Sequence, residues 1–408
     1  MTMTGPERAE AISFRQLRLF EAIGDLKSAR RASQDCSLSQ PAVTQALAKL
    51  EARLDINLVD RCASGSYLNE LGKLFHVRVK RFFEQCEQAI LALDPANKST
   101  SARSLVNRLT RSQVRMLIAT IEYGSFDRAA EKLGLSVTSL RRASRELEGN
   151  LQASLFYRTA TGMLVSPTGI QFGRQMKIAL QEIDLGIEEM EEKRGRTSRQ
   201  LVVGAMPFGG SVLLASVLDD FLRQHSQADI RVMTGSASEM VKHLHSGEVD
   251  FVIGLLPELD NAEVVSEPLA RTPYSIVARR GHPLAQKNRI SADDLMNYDW
   301  VVGTEGSSRR ACFEGLFEDK TGPKTQIATC SLPVIRHLLV GSNRLTLMTS
   351  YELQNENEKL RALPYGAISP APSIGITTRK NWLPTRLHKD FVDIIRACAC
   401  QARQSAAA

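Results

Sequence analysis

One stretch of this sequence is written twice, and that duplication constrains the fold more than any other feature. Adding 97 to a residue number between Phe14 and Gly72 gives its counterpart without a gap. Arg18 falls on Arg115, Ala22 on Ala119, Ser28 on Ser125, Ser39 on Ser136, Glu51 on Glu148, Arg61 on Arg158 and Gly72 on Gly169. Seventeen of the 59 pairs are identical in this one register. A period of 97 residues is too long for a solenoid unit and fits duplication of a whole small domain.

Within the first copy, Leu17, Phe20 and Ile23 recur at helical spacing, and a short helix around Ser28–Gln34 follows. A longer helix then opens at Ser39, a residue suited to the N-cap, with Pro41 in the first turn, where the missing amide costs nothing. Its stripe of Val43, Leu47, Leu50 and Leu54 predicts a buried face. The other face presents Ser39, Gln40, Pro41, Thr44, Gln45 and Lys49, several of them able to read base edges or hold phosphates. Helix, short helix, turn and longer helix is the helix-turn-helix plan, although pattern alone also allows a plain three-helix bundle.

The second copy carries Val137, Thr138, Arg141, Arg142 and Arg145 on the corresponding helix. Arginine can read guanine or grip phosphate, and the spacing does not choose between them. After each longer helix and its glycine comes a second helix with an apolar seam at spacings of 4, 3, 4 and 3. The seam is Val79, Phe83, Cys86, Ile90 and Leu93 in one copy, and Met176, Leu180, Ile183, Ile187 and Met190 in the other. Such a 3.5-residue repeat calls for a helical partner, and the spacing alone also allows packing within its own domain. Residues 94–101 and 195–200 read as linkers.

Charge fits a polyanion partner for the duplicated half, although charge alone fits an ordinary solvated face equally well. The net charge of the chain is +7. Basic minus acidic residues give 14 − 12 = +2 for residues 1–98 and 15 − 11 = +4 for residues 99–198, leaving +1 for the rest. Residues 103–145 alone carry nine basic side chains against three acidic ones.

From residue 199 the period changes to alternating strands and helices, which predicts a parallel sheet with crossover helices. Ligands in such sheets sit beyond the carboxyl ends of strands. The candidate cleft residues are Met206, Pro207, Phe208, Gly209, Ser236, Thr304, Ser307 and Ser331, whose hydroxyls and amides suit a small anion; each is equally readable as a cap or turn. Arg309 and Arg310 read as solvated surface. The seven cysteines are scattered without zinc-ligand spacing, and His243 and His245 diverge on one helix, so neither metal nor cofactor is expected. No nucleophile elbow, Walker loop or zinc-protease motif points to catalysis. The N-terminus lacks a signal-like apolar core, and a cytoplasmic location is expected.

Phe14-Arg-Gln-Leu-Arg, Ser39-Gln-Pro-Ala-Val, Leu50-Glu51, Arg61 and Gly72 resemble the N-terminal domain of LysR-type transcriptional regulators. In the second copy Tyr123-Gly-Ser-Phe and Leu155-Phe-Tyr-Arg-Thr159 carry the same likeness, and Tyr274 to Leu284 resembles the strand and turn entering the second lobe of the family's sensor domain. The copies depart from the pattern at different places: the first at Lys27-Ser28-Ala29 and in its wing, the second in its recognition helix, which has lost Gln-Pro-Ala. The resemblance implies two tandem winged helix-turn-helix domains, at 12–93 and 105–194. It also implies a two-lobed α/β effector domain at 199–408 like that of periplasmic solute-binding proteins, with lobe I at about 199–273 and 373–408 and lobe II at about 274–372. It further implies double-stranded DNA as partner, a small effector that is often a carboxylate, and a homodimer or homotetramer joined through the seam helices. Two other readings stand beside it. One winged helix reads DNA while the other serves dimerisation or protein contact, or the C-terminal lobes belong to an enzyme or solute receptor.

Overall fold

Capping chemistry sets the helices of the duplicated half. The computed structural model describes residues 5–62, 65–93, 99–160, 162–196, 200–206, 210–256, 263–318, 322–354, 356–366, 368–369 and 371–407. Residues up to 198 form one unit, and most of the remainder forms a second.

In the first unit, α1 (Gly5–Ala11) leads into α2 (Phe14–Leu26), α3 (Ala29–Asp35), α4 (Gln40–Leu54), the hairpin β1 (Val59–Cys62) and β2 (Gly65–Leu68), and the long α5 (Glu70–Leu93). The set then recurs as α6 (Ser99–Arg108), α7 (Arg111–Tyr123), α8 (Phe126–Leu133), α9 (Val137–Leu151), β3 (Phe156–Thr159), β4 (Gly162–Val165) and α10 (Pro167–Lys193). The ends of α2, α4 and both wing strands, raised by 97, are the ends of α7, α9, β3 and β4.

The chemistry repeats with the backbone. Ser13 with Gln16 and Thr110 with Gln113 form capping boxes at α2 and α7. Glu51 Oε1 accepts the amides of Leu58 and Val59 at 2.7 and 3.2 Å, and Glu148 Oε1 accepts those of Leu155 and Phe156 at 2.8 and 3.0 Å. Each pair ties a recognition helix to its wing. Gly72 and Gly169 are required for one reason: a Cβ there would lie 2.1 Å from the Leu58 carbonyl oxygen or 2.3 Å from that of Leu155.

The copies share one apolar core rather than folding as separate beads. Helices α5 and α10 pack along their length, with the start of α5 (Phe75, Arg78) against the end of α10 (Gly186, Glu189), so they run antiparallel. Gly186 is small for that crossing: a Cβ would meet Phe75 at 2.8 Å and Arg78 at 3.0 Å. Val79, Phe83, Cys86, Ile90, Met176, Ile183, Ile187 and Met190 are buried, while Leu93 and Leu180 pack partly buried beside them. The seam expected to join two chains is therefore filled within one, because the second copy offers α5 a complementary helix without a second molecule.

Arg78 lies at the centre of this pairing, 1% exposed. Its Nη1 donates to Glu182 at 2.8 Å, and its Nε and Nη2 donate to the two oxygens of Glu189 at 2.9 and 2.7 Å. Arg81 and Gln85 also donate to Glu182, at 3.1 and 2.9 Å. Burial pulls the Arg78 pKa down, but the bonds and charges of Glu189 and Glu182 more than offset it, so the net shift is upward.

The remaining contacts between the copies are crossed. Helix α1 of the first packs on α10 of the second, and α6 of the second packs on α5 of the first. Arg18 donates to the carbonyls of Val106 and Leu109, both at 2.9 Å, while its counterpart Arg115 pairs with Glu10 at 3.3 Å. A two-fold-like exchange of this kind is what two chains of a dimer make; here one chain makes it with itself.

The second unit begins with β5 (Gln200–Ala205), α11 (Gly210–Gln224), β6 (Asp229–Thr234), α12 (Ala237–His245), β7 (Phe251–Leu255) and β8 (Val264–Arg271). Next come β9 (Tyr274–Arg279), α13 (Ala292–Met296), β10 (Val301–Val302), α14 (Ser308–Leu316), β11 (Ile327–Ala328), α15 (Leu332–Val340), β12 (Thr346–Thr349), α16 (Ser350–Gln354) and β13 (Leu360–Ala362). The chain closes with β14 (Ser373–Arg379) and α17 (Arg386–Ala407). One lobe is a five-stranded sheet in the order β6-β5-β7-β14-β8. Its first three strands are parallel, as alternation predicts, but β14 runs antiparallel to β7 and β8, because it returns from the other lobe. The second lobe holds the antiparallel order β12-β9-β13 and the parallel pair β10-β11. Where the chain crosses between lobes, the Thr272 amide donates to the Pro372 carbonyl at 2.8 Å, tying the two crossings together.

Candidate nucleic-acid interface and effector cleft

The two recognition helices share a scaffold and differ in chemistry. On α4, Ser39, Gln40, Pro41, Gln45 and Lys49 are exposed and Thr44 half-buried, opposite the buried Val43, Leu47, Leu50 and Leu54. On α9, Thr138, Arg141, Arg142 and Arg145 are exposed and Val137 half-buried, opposite Leu140, Ser144, Leu147 and Leu151. The residues assigned to DNA from the sequence thus lie mostly on the face turned away from the core, but Val137 corrects that assignment, because it packs against the core. Ser136 accepts the Ser139 amide at 3.1 Å as the α9 cap, whereas Ser39 makes no side-chain cap bond.

The arginines of α9 are not equivalent. Arg142 pairs along the helix with Glu146 at 2.8 Å. Arg141 and Arg145 instead line a groove of about 530 Å³ between α9 and its wing, with Arg158, Thr159, Ala160, Gly162 and Met163 completing the wall. Among the described residues no carboxylate lines it. Arg158, on β3, is the member that the helix-face reading missed, and its coincidence with Arg61 in the repeat register was the available signal. At the positions of Arg141 and Arg145 the first copy has Thr44 and Ala48.

In the second unit the cleft candidates divide between two sheet edges. Met206 is buried just past the end of β5, and Ser236 is exposed just past the end of β6, so both lie at the carboxyl edge of parallel strands. Ser236 is already engaged: its hydroxyl donates to Glu239 at 2.8 Å and accepts the Glu239 amide at 3.3 Å. Pro207, Phe208 and Gly209 lie outside the described residues. In the other lobe, Thr304 and Ser307 follow β10, and Ser331 follows β11. Thr304 Oγ1 meets Cys330 Sγ at 3.2 Å, and Ser307 caps α14 through the Arg310 amide. Ser331 makes no side-chain cap bond to α15. The structure therefore brings Thr304, Ser307 and the Cys330–Ser331 turn together on one edge, and Met206 and Ser236 on another.

Arg309 corrects the sequence reading. It is 1% exposed and donates to Glu352 at 2.7 Å, and Glu352 also accepts the Thr349 amide and hydroxyl. It belongs to the interior of its lobe, whereas Arg310 pairs with Glu314 on the surface. Among the described residues no cluster of His, Cys, Asp and Glu could hold a metal ion, and no helix is long and apolar enough to cross a membrane.

Paired winged helices ahead of a two-lobed α/β domain define a DNA-binding transcriptional regulator with an effector-binding domain. Residues 14–73 and 112–170 each match the bacterial regulatory helix-turn-helix protein of the lysR family, and residues 194–399 match the LysR substrate binding domain. The chain belongs to the LysR family of transcriptional regulators. It is 28% identical over 375 residues to the HTH-type transcriptional regulator GalR of Pseudomonas putida, covering 90% of this chain and 92% of that protein. An alignment that long must run through both copies. With YdcI of Escherichia coli, an uncharacterized HTH-type transcriptional regulator, it is 28% identical over 278 residues, or 67% of this chain and 90% of that one. Among solved structures, a full-length OxyR variant from Pseudomonas aeruginosa superposes with a TM-score of 0.51 at 21% identity, covering 70% of this chain and 97% of that one, a likeness of fold.

Proposed function

We propose that both winged helices of one chain contact double-stranded DNA, and that a small anion in the C-terminal cleft, of the carboxylate class, modulates the complex. The exposed polar face carried by α4 and again by α9 on the same capped scaffold is the observation that supports this reading. A copy retained only for packing would have no need of three exposed arginines on the outer face of its recognition helix. Hydroxyls and backbone amides at the starts of α14 and α15 suit an anion. The protein acts as a regulator without catalysis, in the cytoplasm. Effector binding changes DNA affinity through a coupling free energy between the two sites. Because the seam is closed in cis, higher assembly to two or four chains uses other surfaces.

A gel shift over a salt series on DNA upstream of the protein's own gene tests the reading. The full chain is compared with Arg141/Arg142/Arg145→Ala and with Gln40/Thr44/Gln45→Ala. Both variants are expected to bind more weakly than the parent. An arginine variant that binds like the parent would leave the second copy as a packing partner only.

A further inference from the structure

The groove between α9 and its wing says more than that the second copy is basic. Arg141, Arg145 and Arg158 line one concavity with no carboxylate among its described lining residues, and Arg145 Nε donates to the Arg141 carbonyl at 3.3 Å. Like charges gathered there call for an anion between them. A recognition helix and a wing bracket the sugar-phosphate backbone, so the anion of matching shape is a phosphodiester. Base-edge reading by arginine instead needs a flat, bidentate approach from a helix lying in the groove. In the first copy the corresponding α4 positions are Thr44 and Ala48, flanked by Gln40 and Gln45, whose amides match adenine edges.

We propose that the two copies divide the work: α4 reads base sequence, while α9 and its wing clamp the DNA backbone. The operator is then intrinsically asymmetric, with one sharply specified half-site and one specified loosely. The proposal rests on both copies contacting DNA. The pairing of α5 with α10 holds unlike readers together. In the same geometry, α5 against α5 would set Arg78 opposite Gln85 and Ala92, the counterparts of Glu182 and Glu189. Two α10 helices would in turn face Glu182 and Glu189 with Gln175, the counterpart of Arg78. Only the unlike pair satisfies the buried charges, so two copies of the same reader cannot be assembled on this seam.

Selection of bound sequences from a random DNA pool by the full-length protein, followed by salt titrations on the winners, tests the division. Arg141/Arg145/Arg158→Gln and Gln40/Gln45→Ala are carried in parallel; all of these α4 and α9 side chains are exposed, and far-UV circular dichroism checks folding. The parent should select one conserved half-site beside a weakly conserved one. The arginine variant should select the same conserved half-site, while its slope of log K against log salt falls by about 2 to 3, near one per phosphate contact. The glutamine variant should keep the slope and lose the conserved half-site. Replacing chloride by inorganic phosphate at constant ionic strength should not displace DNA from the parent. A palindromic selected site with equal halves, or an unchanged slope in the arginine variant, would overturn the division. So would loss of base preference together with slope, which would make the arginines base readers, or displacement by phosphate, which would make the groove a small-anion site. No sequence-dependent complex with the parent at any salt would sink the DNA-reading function itself, an outcome separate from the others, all of which leave binding intact.

Discussion

The two halves of the first unit share a backbone and almost nothing on their outer faces. Strand ends, the ends of α2 and α4, the wing glycines and the glutamates that tether each wing coincide after a shift of 97. The recognition faces do not: amides and a hydroxyl on α4, guanidiniums on α9. Fold constraints act through caps, steric limits and buried stripes, which tolerate few residue types. The exposed face is limited only by what it touches. The copies have therefore kept what folding demands and diverged where contact with a partner decides.

The sharpest way to break this picture is at the charge cluster that makes the pair unlike. Arg78→Met leaves Glu182 and Glu189 facing an apolar side chain, and the unit should lose about 3 to 5 kcal/mol of stability. Thermal or denaturant unfolding checks this, and Arg78→Met with Glu182→Gln and Glu189→Gln should recover much of the loss. A change under about 1 kcal/mol would mean the cluster is not what holds α5 to α10.

A second difference concerns Glu21, which is buried in the first copy at the position occupied by Ile118 in the second. Burial pushes its carboxyl up to about 7, and Arg103 only partly counters it. The folded protein holds that proton more tightly than the unfolded chain. Stability is therefore lost as pH rises from about 4.5 to 7, and the full cost is present above 7. Glu21→Gln should stabilise by about 2 kcal/mol at pH 8, with the gain shrinking toward pH 5. Melting temperatures across that range decide the matter, and a gain that does not depend on pH would remove titration as the cause.

The smallest effect sharpens the comparison at the turn after the first helix of each copy. Lys27 holds φ at 53°, where the second copy has Gly124 at 72°. Lys27→Gly should relieve a left-handed backbone and stabilise by about 1 kcal/mol, and Gly124→Lys should cost a similar amount. Opposite signs in chemical unfolding are the expected result.

Although α6 begins at Ser99, inside the stretch 94–101 that reads as a linker, the duplication itself was legible, because capping serines, Pro41, the wing glycines and the helical stripes are local signals. The partner of each seam was not. A 3.5-residue stripe on α5 states that a helix is missing, but not whether it comes from the same chain. The answer lay in residues beside the stripe, since Arg78 answers Glu182 and Glu189, while Gln175 stands where a symmetric pairing would need a cation. Arg158 escaped the helix-face reading because it projects from a wing strand, and a groove formed by two elements has no signature in either alone. Arg309 was misread for a related reason: its burial depends on Glu352, 43 residues away, and sequence separation conceals such pairs. The candidate cleft residues read from the sequence as hydroxyls at helix starts, and Ser236 and Ser307 cap helices, the outcome such residues most often have.

Joining both winged helices in one polypeptide also alters how the paired unit responds to dilution. A reader made of two chains comes apart when its concentration falls below its dissociation constant. Helices α5 and α10 meet at an effective concentration set by the chain between them, and that stays constant however few molecules are present. The recognition pair thus exists in a single molecule. Each of its faces can also be altered without altering the other, which no pair of identical chains allows.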